Sequence, residues 1–365
     1  MVLNKGKVTA IVGAQYGSEG KGAIVAHLAD QYEIHVRTGG PNAGHTFYFD
    51  GQAHVMQTIP CGWINKHATC VIGRGALIDP DQFLREVDHI ESVMPGSSTR
   101  ILIDAHAGII GESHYKEEGG TSGALHKRMG STGKGVGAAR RDRMSRDPLK
   151  FQFVHQHPAF EHFKQRGQVI EDTSAWLYRA IGEHGRSCLL EGAQGSALSL
   201  TFGHWPYVTS SDTNAATMAA AAGLPPQWVD DVILVARTFP IRVAGNSGPL
   251  ANETDWQRMS VKLNRSVTEK TTVTKLTRRI GEWDDALFAK AVKLNGCKEV
   301  AVTFVDYLDK GQDYGCGSWD YLSAAAQTFV YDIEETHGVH VRWIKTGPKA
   351  EHIIERHSIS YPKPF

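Results

Sequence analysis

Short apolar runs alternate with amphipathic stretches along most of the chain. Residues 8–12 form a β-branched run that predicts a buried strand, and residues 13–22 form a glycine-rich turn. Ile24, Val25 and Leu28 then recur at helical spacing up to Asp30, and residues 34–37 read as the next strand. Two strands joined through a helix pair in parallel, so this opening predicts a parallel sheet. Further strand-like runs lie at 70–72, 100–103, 188–190, 232–236, 299–305 and 339–344, separated by polar or helix-forming stretches such as 80–92. The expected class is α/β: a mostly parallel central sheet with helices on both faces and inserted loops. No repeat, low-complexity tract or Pro/Ser-rich linker divides the chain, so residues 1–365 are expected to form a single unit. Residues 119–147 are rich in glycine and Lys/Arg, hold too few large apolar side chains to make core, and predict a mobile surface loop.

Composition narrows the choice of partners. Lys plus Arg total 39 and Asp plus Glu total 39, so no net charge draws the protein to nucleic acid or to an acidic membrane. The five cysteines, Cys61, Cys70, Cys188, Cys297 and Cys316, lack C-x-x-C spacing, and their odd number suits reduced thiols in a cytoplasmic protein. The apolar run near the N-terminus is short, and no segment approaches the roughly 18 apolar residues of a membrane span. A soluble protein is expected.

Three glycine-bearing segments carry the candidate chemistry. Gly17, Ser18, Glu19, Gly20, Lys21 and Gly22 lie between strand and helix, where backbone N–H groups bind phosphate, although a purely structural turn uses the same glycines. The segment is not a P-loop, because Gln15 occupies a glycine position and Gly22 follows the lysine. Asn42, Gly44, His45 and Thr46 follow the second strand and so reach the same carboxyl edge of the sheet. Ser131, Thr132 and Lys134 stand in a third glycine loop, followed by Arg140, Arg141, Arg143 and Arg146, which form either a solvated basic run or a phosphate grip. His155, His157 and His162 lack the carboxylate or cysteine that would complete a metal cage.

GAQYGSEGKG, GGPNAGHT, GSTGKGVG, LLEGAQGS and WPYVTSSDT occur in the order and spacing of adenylosuccinate synthetases. From about residue 8 to 348 the chain resembles that family, although it is shorter than the usual bacterial members. The resemblance implies a ligase in which a purine O6 attacks the γ-phosphate of a nucleoside triphosphate with Mg²⁺, after which the amine of aspartate displaces phosphate. It implies catalytic roles for Ser18, Lys21 and His45, with His45 near its ordinary pKa as the acid. It places Gly17, Glu19, Gly20, Lys21, Gly22, Gly44, His45, Thr46, Arg278, Asp306, Thr346, Gly347 and Pro348 on the triphosphate, and Ser18 and the Gly44 carbonyl on the metal. Ser18, Asn42, Ser131, Thr132, Gln194 and Thr209 match positions that hold the nucleoside monophosphate, with Arg146 reaching it from the neighbouring subunit of a homodimer. Thr272, Val273, Thr274 and Arg278 match the loop that grips aspartate.

Three positions depart from the family pattern. The catalytic aspartate is Ser18, an arginine near the ribose 2′-hydroxyl is Leu276, and the lysine of a guanine-reading T-K-x-D segment is Phe304, with Asp306 retained. Serine at position 18 resembles the bacteriophage-encoded synthases that convert dGMP, not IMP, into N6-succino-2-amino-2′-deoxyadenylate. The substrates this implies are dGMP, L-aspartate and ATP or dATP, in a host cytoplasm if the chain is phage-encoded. The alternatives are an ordinary synthetase using IMP and GTP, and a non-catalytic nucleotide-binding protein.

Overall fold

Ten strands join into one sheet in a computed structural model of the chain, which describes residues 5–271, 275–308, 315 and 317–357. In chain order they are β1 (Val8–Gly13), β2 (Ile34–Arg37), β3 (Thr69–Ile72), β4 (Ile101–Asp104), β5 (Gln168–Ile170), β6 (Cys188–Glu191), β7 (Asp231–Arg237), β8 (Glu299–Thr303), β9 (His340–Lys345) and β10 (Ile353–Glu355). Across the sheet their order is β10-β9-β8-β7-β1-β6-β2-β3-β4-β5. Every neighbouring pair is parallel except β9 with β10. The chain thus adopts the expected α/β class.

Burial on both faces explains why the strands read as continuous apolar runs. Within β1, Ala10 and Val12 join one core with Leu190, Leu234 and Val300, while Ile11 joins the opposite core with Leu189, Ile233 and Ala301. The helix Ala215–Ala222 covers the first face and the helix Pro80–Val93 the second. Pro80–Val93 starts cleanly because the Asp79 side chain accepts the Gln82 N–H and proline occupies the first turn.

The chain runs from β1 outward through β2 to β5, returns to insert β6 between β1 and β2, and then proceeds through β7, β8 and β9 toward the other edge. That reversal opens a crevice at the carboxyl ends of β1 and β6, where sheets of this kind bind ligands. The hairpin of His45–Phe49 with Gln52–Met56, and the antiparallel sheet of Ile241–Arg242, Glu253–Thr254 and Arg279–Gly281, escaped the hydropathy pattern. Such short strands are defined by cross-strand pairing, not by their own periodicity. Strand β8 stops at Thr303, before the end of its apolar run, because Phe304 turns the backbone into the left-handed region at φ 57°.

The basic segment expected as a mobile loop is instead largely helical, over Ala124–Met129 and Val136–Ser145. Buried Glu118 supplies the reason. Its carboxylate accepts the N–H groups of Gly135 (2.8 Å), Gly137 (2.7 Å) and Ala138 (3.2 Å), satisfying first-turn donors that have no partner within the helix. Val136 and Ala139 then pack with Leu77, Ile110 and Phe151. Cys61, Cys70, Cys188 and Cys297 are free and buried, while Cys316 lies outside the described residues. Among the described residues no helix is long and apolar enough to cross a membrane.

Replacing Glu118 by alanine is expected to lower stability by about 3 kcal/mol, because three buried donors lose a charged acceptor. Amide exchange should accelerate first at residues 135–138. Unchanged stability in urea unfolding would show that apolar packing alone holds this helix.

Candidate active site

Glu19 organises the turn that follows β1. It is fully buried; its Oε1 accepts the N–H groups of Gln15 (3.0 Å) and Gly17 (2.8 Å), and its Oε2 receives Lys21 Nζ at 2.6 Å. The Glu19 side chain, expected on the triphosphate, therefore turns inward and leaves only its main chain for a phosphate. A free carboxylate there would repel phosphate, so this internal pairing makes the turn receptive to anions. Ser18 stays exposed at a left-handed φ of 59°. Gly22 lets the hairpin strand His45–Phe49 approach the helix Lys21–His27, since a Cβ on it would lie 2.8 Å from the Cβ of His45.

Glu191, at the end of β6, organises the neighbouring loop. It accepts from Arg37 Nη1 (3.0 Å) and the Cys61 N–H (2.7 Å), and it meets His45 Nδ1 at 2.6 Å. Burial opposes its ionisation, but Arg37 and His45 hold the carboxyl down to about 2. Burial, reinforced by Arg37, pushes His45 down to about 4 against the pull of Glu191. At neutral pH the imidazole is therefore uncharged, with Nδ1–H donating to the carboxylate and a lone pair on Nε2. His45, expected near its ordinary pKa, is held below it because burial outweighs its single carboxylate partner. His45, Cys61 and Glu191 bring their ligand atoms within 4.8 Å of one another, yet Arg37 already supplies the balancing charge.

Sequence reasoning missed the residues that join the two ends of the site. Arg237, fully buried at the end of β7, pairs with Glu269 (2.5 Å), donates to the Ser18 carbonyl (3.3 Å) and lies 3.8 Å from the Phe304 ring centroid. Phe304 therefore stacks on an arginine. Thr303, next to it, donates to the Glu19 carbonyl (2.7 Å). Asp306 does not stand alone either: Arg265, 41 residues earlier, pairs with it at 2.7 Å, so a cation accompanies the aspartate although position 304 provides none. Burial pushes Asp306 up, with Arg265 opposing, and pushes Lys345 down to about 8, with Asp306 opposing. No spacing rule marks Arg237 or Arg265, because the first ends a strand and the second follows the helix Trp256–Leu263, and only the tertiary fold brings them here.

That order also lays out the expected ligand residues. Thr346, Gly347 and Pro348 follow β9, Asp306 follows β8, the Gly17 to Gly22 turn follows β1, Gln194 follows β6, and Asn42, Gly44 and Thr46 follow β2. Neighbouring strands lie about 4.8 Å apart, so the row spans roughly 24 Å. Gln194 reaches Gly17, its Oε1 lying 3.5 Å from where a Cβ would stand there, and Asn42 and Val136 both flank Gly40. The Ser131–Thr132 turn precedes Val136, with Ser131 Oγ accepting the Gly133 N–H (3.2 Å), while the Thr209 N–H bonds the Leu198 carbonyl (2.8 Å) beyond β6. Arg278 donates Nε to the Lys270 carbonyl (3.1 Å), and burial pushes it down to about 10 with Glu269 opposing. Arg146 stands exposed at the end of its helix, beside exposed Met144 and Leu149. Thr272, Val273 and Thr274 lie outside the described residues.

Comparison with known proteins finds relatives along nearly the whole chain. The family model described as Adenylosuccinate synthetase matches residues 10–166 and 155–314. An adenylosuccinate synthetase of Methanococcus maripaludis is 39% identical over 350 residues, covering 95% of this chain and 98% of its own. That of Archaeoglobus fulgidus is also 39% identical over 350 residues, with 95% and 97% covered. The structure of cyanophage S-2L succinoaminodeoxyadenylate synthetase, bound to dGMP and dATP as an energy donor, has a TM-score of 0.79 at 29% identity, covering 96% of this chain and 95% of that one. Fully ligated adenylosuccinate synthetase from Plasmodium falciparum shares the fold, with a TM-score of 0.84 at 22% identity over 96% of this chain and 100% of that one.

The depressed His45 pKa makes stability depend on pH. An unfolded histidine takes up its proton near 6.5 and the folded one only near 4, so the unfolded state binds more protons in between and stability falls as pH drops through that window. His45→Asn keeps a donor to Glu191 but cannot titrate. Between pH 7 and pH 5 the wild type is expected to lose about 2 kcal/mol more than this variant. Parallel denaturation curves at the two pH values check this, and equal losses would mean that the imidazole is already charged.

Proposed function

The chain belongs to the adenylosuccinate synthetase family of carbon–nitrogen ligases, and within it we propose a synthase that joins L-aspartate to C6 of dGMP with ATP or dATP. Its product is N6-succino-2-amino-2′-deoxyadenylate. Ser18 carries this reading: it is exposed on the β1 turn, at the position that the family resemblance sets against N1 of the purine. Guanine bears an amino group on the adjacent carbon. A carboxylate placed to receive the N1 proton would crowd that group, whereas a hydroxyl is shorter and still hydrogen-bonds the ring edge. Leu276, 37% exposed, offers a 2′-hydroxyl no partner and leaves a deoxyribose undisturbed. The similar cyanophage enzyme, solved with dGMP and dATP, supports the same pairing of substrates.

The reaction divides into two displacements. Purine O6 attacks the γ-phosphorus as the nucleoside diphosphate leaves and the N1 proton passes to water or a phosphate oxygen, and the aspartate amine then expels phosphate from C6, giving its proton to the departing phosphate. The β1 turn and Lys21 hold the triphosphate, and phosphoryl transfer of this kind depends mainly on positioning and electrostatics. Anionic phosphates beside His45 favour its protonated form, so the imidazole gains a proton as the nucleotides bind and donates through Nε2 toward O6. The Ser18 hydroxyl and the Gly44 carbonyl are hard oxygen donors of the kind Mg²⁺ prefers alongside phosphate oxygens and water; when bound, the ion neutralises triphosphate charge. Exposed Arg146 completes the monophosphate site of a second subunit in a homodimer.

Two observations favour a second reading, an ordinary synthetase using IMP and GTP. The archaeal relatives at 39% identity carry that name, and the Arg265–Asp306 pair restores a cation beside the base-reading aspartate. Measuring kcat/KM for dGMP, GMP and IMP, each with ATP and GTP, separates the two. Wild type is expected to favour dGMP over IMP at least tenfold, Ser18→Asp to lose on the order of 100-fold on dGMP, and Leu276→Arg to gain on GMP. The dGMP reading fails if wild type prefers IMP or if Ser18→Asp keeps full activity on dGMP.

A further inference from the structure

Val136, Arg140 and Arg143 follow one another at intervals of four and three residues and so share one face of the helix Val136–Ser145. The first member of this stripe faces the loop after β2, since a Cβ on Gly40 would lie 3.1 Å from Val136 Cγ1. The last member is anchored, with Arg143 Nη1 donating to the Arg74 carbonyl (3.2 Å) and the guanidinium 5.6 Å from the Phe153 ring centroid. Arg140, between them, has no counterpart. It is half-buried, forms no hydrogen bond or ion pair with any described residue, and its Nε is buried without an acceptor.

Its neighbours offer no relief. Arg141 takes Glu117 and Asp142, Arg74 takes Asp104, and Arg143 is a like charge. Burial and Arg143 push the Arg140 guanidinium down to about 10, so it remains charged at neutral pH. A desolvated cation without a counter-ion destabilises the ligand-free protein, and its forked donors match the geometry of a phosphate.

We propose that Arg140 grips the 5′-phosphate of the nucleoside monophosphate from within the same chain. It stands one helical turn beyond Val136, on the side where Gly40 and Asn42 meet that helix, and downstream of Ser131 and Thr132. The inference rests on the monophosphate site of the function proposed above, but not on which purine occupies it.

Titration calorimetry on the full chain with dGMP, IMP and ATP, together with melting curves, tests it. For Arg140→Met, the Kd of whichever monophosphate binds the wild type is expected to weaken roughly 10- to 100-fold, since a charge-assisted contact is lost. ATP affinity is expected to stay unchanged, and the ligand-free Tm to stay equal or rise, because an unpaired charge has been removed. Arg140→Lys, which keeps the charge without the fork, falls between the two. Retained monophosphate affinity in Arg140→Met overturns the proposal. So does a lower ligand-free Tm with weaker self-association, which would make Arg140 the partner of a carboxylate on a second copy. If the wild type binds IMP and not dGMP, the substrate reading fails, and the Arg140 comparison still stands on IMP.

Discussion

Glu19 and Glu191 lie fully out of water at the carboxyl edge of the sheet, and the chain brings a cation and amide N–H groups to each. Breaking such a pairing leaves a bare buried charge, so the geometry around both acids is tightly held. Glu19 sets the turn after β1 and fixes Lys21 at the head of its helix. Glu191 draws Arg37, His45 and the Cys61 amide together from three separate segments. The positions of the lysine and histidine are consequences of where these two acids stand.

The cations nearer the crevice are not so balanced. Arg140 has no acidic partner among the described residues, and burial depresses Arg278 and Lys345 as well. Acids turned inward and cations left underneutralised make a surface prepared for polyanions before any arrives, which reduces the reorganisation needed at the moment of reaction. Arg237 links this surface across the sheet. It touches the Ser18 carbonyl, the Glu269 carboxylate and the Phe304 ring, so the glycine turn after β1 and the segment around Glu269 share one buried contact.

The helix at 136–145 shows how one acid overrides composition. Its glycines and arginines argue for a loop, yet Glu118 reaches its first turn from a preceding helix and supplies acceptors that the local sequence lacks. The energetic reason for helix here is tertiary, in keeping with the general weakness of intrinsic propensity.

Local pattern was enough for the class. Runs such as 232–236 are apolar at every position, and 8–12 at all but Thr9, because both faces of each strand are covered, and a strand, a glycine turn and a helix in succession already imply parallel pairing. The glycine segments and the family motifs marked Lys21, Asn42, His45 and Gln194, since each lies within a few residues of a strand end. The protonation of His45, the inward turn of Glu19, the Arg265–Asp306 pair and the isolation of Arg140 were settled only in three dimensions. Two of these depend on partners far away in sequence: 146 residues separate His45 from Glu191, and 41 separate Arg265 from Asp306. Sequence periodicity reports which way a side chain faces within its own element, whereas charge balance and desolvation depend on which elements the sheet order sets side by side.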